Sequence, residues 1–64
     1  MLEPEARSLK VGDKVAYILE GLPVMPGVVT AVNWACFQIM WDDGYASIVN
    51  YNEAHYIFRG NDAH

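Results

Sequence analysis

The stretch "CFQIMWDDGYASIV", residues 36–49, decides how the rest of the chain is read. In its first half the polar Gln38 interrupts an apolar run. Strand alternation then puts Phe37, Ile39 and Trp41 on one face and Cys36, Gln38 and Met40 on the other. The face without the glutamine is expected to point into the core. Asp42-Asp43-Gly44 follows, ending in the Asp-Gly pair that favours positive φ in a tight hairpin. The spacing therefore predicts a strand over residues 35–41, a turn, and a further strand from Tyr45 through Val49.

Working outward, "VGDK" at 11–14 sets Gly and Asp before "VAYIL", which predicts a first strand over residues 14–19 with Val15, Tyr17 and Leu19 on one face. "EGLPVMP" at 20–26 carries Gly21, Pro23 and Pro26 and reads as a loop. "GVVTAVN" at 27–33 reads as a second strand, where Gly27 lets the backbone bend or another chain approach closely. "NYNEAHY" at 50–56 suits a single helical turn, and "IFR" at 57–59 a short fifth strand. Residues 1–8 and 61–64, polar and without periodicity, are expected to be tails flanking one domain over residues 9–60.

Size and composition narrow the classes. A chain of 64 residues buries roughly 60% of its unfolded surface on folding, so closure or a partner is needed to stabilise it. Yet 53% of the residues are hydrophobic, with two Trp, four Tyr, two Phe and three Met, more than so small an interior holds. The net charge of −4 argues against nucleic acid, because affinity for phosphates comes from basic contacts. The single cysteine, Cys36, forms no internal disulfide, and with His55 and His64 it cannot complete a four-ligand zinc site. No metal or cofactor is expected. A reducing cytoplasmic setting is expected, with no membrane span, since no apolar segment approaches about 20 residues.

Five short strands, a Pro-rich first loop, a tight third hairpin and a helical turn before the last strand predict an all-β, SH3-like barrel. Closure removes strand edges and lets alternate residues of every strand fill a small core. The expected core is Val15, Tyr17, Val29, Val32, Phe37, Ile39, Ile48 and one of Ile57 and Phe58. Together "LKVGDKVAYILEG", "MPGVVTAVN" and "CFQIMWDDG", spanning about residues 9–58, resemble the pattern of Tudor-type domains. Members that bind methylated lysine or arginine use an aromatic cage at the strand one-two loop and the strand three-four hairpin. The resemblance implies a candidate ligand site of Leu19, Met25, Trp41, Asp43 and Tyr45, in which only Trp41 and Tyr45 bring the ring faces that cation–π attraction needs.

Each of these residues also has a purely structural role open to it. Trp41 ends a core strand, where packing is the first expectation, and Tyr45 follows a turn and can stack across the hairpin. Asp42 and Asp43 are adjacent turn formers rather than a convergent acid-base pair. Cys36 has no neighbouring base in sequence and reads as a small surface or interface residue. No nucleophile-base spacing or phosphate loop is present, so a non-enzymatic role is expected. Type II dihydrofolate reductases, SH3-like barrels of similar length, contact substrate through Val-Gln-Ile-Tyr. Here "FQIM" lacks the Tyr and "YIFR" lacks the Gln. The expectation is a module that binds a protein or peptide, or its own copy as a homodimer, through a patch including Ile18, Trp34, Met40, Tyr45, Val49 and Tyr51. The alternatives are a KOW-type nucleic-acid adaptor, suggested by "VGDKV" and "GVV", and a methylated-residue reader. If Gly44 takes positive φ, Gly44→Val should destabilise by about 1–3 kcal/mol, read as a lower urea midpoint with unchanged slope.

Overall fold

Alternation along Cys36–Trp41 organises the computed structural model, which describes residues 1–60. Five strands, β1 (Lys14–Tyr17), β2 (Met25–Val32), β3 (Cys36–Trp41), β4 (Ala46–Asn50) and β5 (Ile57–Arg59), form one antiparallel sheet in the order β4-β3-β2-β1-β5. The sheet curls into a half-barrel, with a 3₁₀ turn at Tyr51–Glu53 before the last strand. Phe37 and Ile39 are buried on its concave side with Val15, Val29 and Ile57, and Tyr17, Trp41 and Val49 pack against them. Of the Ile57–Phe58 alternatives, Ile57 lies inside and Phe58 is exposed.

The hairpin after β3 is a three-residue loop. The Gly44 N–H donates to the Trp41 carbonyl at 2.9 Å and the Trp41 N–H to the Tyr45 carbonyl at 2.7 Å. Gly44 alone in this loop takes positive φ, at 93°, the pattern of a turn closed by a glycine bulge rather than a two-residue hairpin. β1 stops at Tyr17, so the expected residues 18 and 19 lie beyond it, and β2 starts at Met25, earlier than expected. Pro26 fits inside the sheet because its backbone faces the hairpin. Its carbonyl accepts the Asp42 N–H at 3.0 Å, and opposite Ala16 it has no ladder bond to lose.

Several expected placements are corrected. Ile48 stands opposite Gln38 and is 71% exposed, while Ser47 and Val49 turn inward, so Val49 belongs to the interior and not to a surface patch. A one-residue difference in register exchanges the two faces of a strand, and the hairpin geometry fixed it. Val32 pairs with Phe37 after a bulge between Val29 and Ala31, yet stays exposed at the strand end beside Asn33 and Trp34.

Tyr51 is buried instead of exposed. Its ring stacks on Phe37 with centroids 5.4 Å apart, and its hydroxyl donates to the Asn33 carbonyl at 2.6 Å.

The stretch expected to be a polar N-terminal tail also packs. Glu3–Ala6 forms a short helix, α1, whose Ala6 is fully buried with Leu9, and the Met1 nitrogen donates to the Ala54 carbonyl at 2.9 Å. Arg7 lies over the Tyr51 ring at 4.8 Å and donates to the Trp34 carbonyl at 2.8 Å. The expected tail at 61–64, with His64, lies outside the described residues. Phe37→Ala should cost about 3–5 kcal/mol, a large share of a small domain's total, and abolish the cooperative thermal transition seen by circular dichroism.

Candidate functional site

The interior side of β3 runs from Phe37 at one end to Trp41 at the other, and the Trp41 end is open. There a cleft of about 470 Å³ lies between β4, contributing Ser47 and Val49, and the approach to β5, contributing Tyr56 and Ile57. Tyr17 and Trp41 form its inner wall, with ring centroids 6.1 Å apart and planes at 87°, an edge-to-face pair. Tyr56 continues the wall, its centroid 6.1 Å from that of Tyr17 and its plane tilted by 49°. The Ile18 N–H donates to the Tyr56 carbonyl at 2.9 Å, which fixes the spacing of the two tyrosine-bearing segments.

Trp41 is held from two directions. Its indole N–H donates to the Ser47 hydroxyl at 2.8 Å, which explains a serine on the inward face of β4. Its ring also lies against the backbone of Gly27. A Cβ at that position would sit 2.6 Å from Trp41 Cε3 and 2.7 Å from Ile39 Cγ2. The close approach expected at Gly27 from another chain is made instead by the chain's own core.

Of the five residues expected at the site, Met25, Trp41 and Asp43 line the cleft. Leu19, half-buried in the loop after β1, does not, and neither does Tyr45, which is 74% exposed at the hairpin. Tyr45 closes the loop, and its N–H donates to Asp43 Oδ1 at 3.1 Å. In place of Leu19 and Tyr45 the cleft has Tyr17 and Tyr56. The sequence placed Tyr17 in the core and gave no role to Tyr56; their only signal was the strand pairing that brings residues 17 and 57 opposite each other.

The chemistry of the cleft is that of rings, aliphatic groups and acids. Leu22, Pro23 and Met25 form the wall towards the first loop, and Asp43 and Glu53 are among the lining residues. No lysine or arginine among the described residues lines it, and no described group of three His, Cys, Asp or Glu is placed to hold a metal ion.

No family model, curated protein or solved structure matches the chain. Among the described residues no helix is long and apolar enough to cross a membrane.

The Gly27 contact generates a test. Gly27→Ala should destabilise by about 1–3 kcal/mol through overpacking, and in a Trp34→Phe background it should shift Trp41 fluorescence, because the added methyl displaces the indole.

Proposed function

We propose that this domain is a non-enzymatic binding module that takes a side chain of a protein or peptide partner into the cleft beside Tyr17, Trp41 and Tyr56. The observation that carries the reading is the convergence of three aromatic rings on one apolar, open cleft. Ligand sites are mostly apolar concavities with a few polar groups that fix orientation, and Ser47, Asp43 and Glu53 supply such groups here. Trp41 is already restrained by Ser47 and Gly27, so little rotamer freedom is left for a ligand to remove.

A second reading, a methylated-lysine or methylated-arginine reader of Tudor type, is favoured by one specific feature. Asp43 and Glu53 add negative charge to a cleft whose ring faces attract cations, a term of about 0.5–2 kcal/mol per well-placed ring. The cage in this reading consists of Tyr17, Trp41 and Tyr56 rather than Leu19 and Tyr45. The KOW-type adaptor is the weakest of the three, given a net charge of −4 and a cleft lined by no described lysine or arginine.

Three short peptides differing only at a central residue separate the readings: trimethyllysine, its uncharged tert-butyl isostere, and glycine. In a Trp34→Phe background, Trp41 emission should respond to the first two and not to the glycine peptide. A preference of about fivefold or more for the cation identifies the reader. Equal responses to cation and isostere leave a general apolar side-chain site. No response to any peptide at millimolar concentration, with the protein folded, overturns the binding assignment for this cleft.

A further inference from the structure

The sheet has two edges, and they are built differently. β5 is three residues long and carries Arg59, which pairs with Asp13 at 3.4 Å and Glu5 at 3.7 Å. The Ile57 N–H on that edge is already bonded to the Ala54 carbonyl at 3.2 Å. Shortness, charge and an internal partner are the devices by which proteins blunt an edge.

β4 has none of them. Its sequence, Ala46-Ser47-Ile48-Val49-Asn50, contains no charge, proline or glycine, and its pairing with β3 is regular from end to end. The Trp41–Tyr45 bond sets the phase of the ladder. The Tyr45 carbonyl and the backbone groups of Ser47 and Val49 are directed at β3, so Ala46, Ile48 and Asn50 direct theirs outward. Among the described residues no backbone bond outside the strand ladder reaches these three. Their side chains lie on the convex face, where Ile48 is 71% exposed and Met40 also stands free.

We infer that β4 is a pairing edge for a second copy of this chain, joining two half-barrels into one continuous antiparallel sheet about a two-fold axis through Ile48. The outward residues are symmetric about Ile48, so an antiparallel copy satisfies every one of them together. Ala46 meets the partner's Asn50, Ile48 meets the partner's Ile48, and Asn50 meets the partner's Ala46, each pair exchanging N–H and C=O bonds. The two Ile48 side chains become cross-strand neighbours on the convex face, a contact that favours β-branched residues. Two-fold pairing of like surfaces is the commonest closed assembly, and here it also hides the unprotected edge. A foreign strand would meet the same backbone groups, but the charge-free, self-complementary register selects the chain's own copy. In that register Asp43 of one chain comes level with the partner's Glu53, so association is measured at 0.5 M salt, where the Debye length is about 4 Å.

Sedimentation equilibrium from low to high micromolar concentration should give a mass rising from the 7.2 kDa of one chain towards twice that value. Hydrogen exchange over the same range supplies the specific signature. The amides of Ala46, Ile48 and Asn50 should exchange fast when dilute and gain protection of about tenfold or more when concentrated, while Ser47 and Val49 stay protected throughout. Ile48→Lys should remain folded, since the side chain is exposed, and stay monomeric. An Ile48 backbone N-methyl variant, assembled by ligation at Cys36, should do the same without altering any side chain. A wild-type mass fixed at one chain overturns the proposal. So does a dimer that survives both variants, which would mean pairing through the convex face instead.

Discussion

Tyr51 holds the closed end of the half-barrel. Its ring stacks on Phe37 and carries the Arg7 guanidinium over it, and its hydroxyl bonds the Asn33 carbonyl, so one side chain joins β3, the β2–β3 turn, the 3₁₀ turn and the N-terminal segment. Those parts are distant in sequence, and each has little apolar surface of its own to bury. α1 is a single turn, too short to be stable by itself, and persists because Ala6 and Leu9 pack beneath the 3₁₀ segment. The Asn33 side chain accepts the N–H groups of Ala35 and Cys36, both at 2.8 Å, and this fixes the turn whose carbonyl Tyr51 then uses. The described residues contain no buried side-chain polar atom without a partner, so this polar packing is complete as well as local.

The open end follows from the same economy of size. A sheet of five short strands that curls without closing has one end for which no covering element remains, and the rings assigned to that end stay half exposed. Tyr17, Trp41 and Tyr56 pack on one another there, and the gap between them and Leu22, Pro23 and Met25 stays open. Stability and a capacity to bind therefore draw on the same residues, and a ligand in the cleft would supply contacts that the chain itself lacks.

The strands and the third hairpin were legible because alternation around Gln38 and the Asp-Gly pair are local signals. What failed depended on distant partners. Ile48 is the most apolar residue of its strand and so looks like core, but the three-residue loop sets a register that places Ser47 inward, where its hydroxyl serves Trp41. Tyr51 reads as surface because its partners Phe37, Asn33 and Arg7 lie 14 or more positions away. Residues 1–8 read as a tail because a four-residue helix that buries one alanine has no periodicity to detect. Met25, Trp41 and Asp43, which the structure sets along the cleft, were named through the Tudor resemblance. Tyr56 was not, because it joins the site only through the pairing of β5 with β1.

The seat of Trp41 on Gly27 also links two positions across evolutionary change. With the indole edge and Ile39 both against that backbone, a Cβ at residue 27 requires residue 41 to shrink or turn away and Ile39 to shift with it. Relatives of this chain should therefore carry either glycine with a large ring or a larger residue with a small one. The second pairing would exchange one wall of the cleft for a filled floor, so descendants could drift in what they bind while the sheet beneath stays the same.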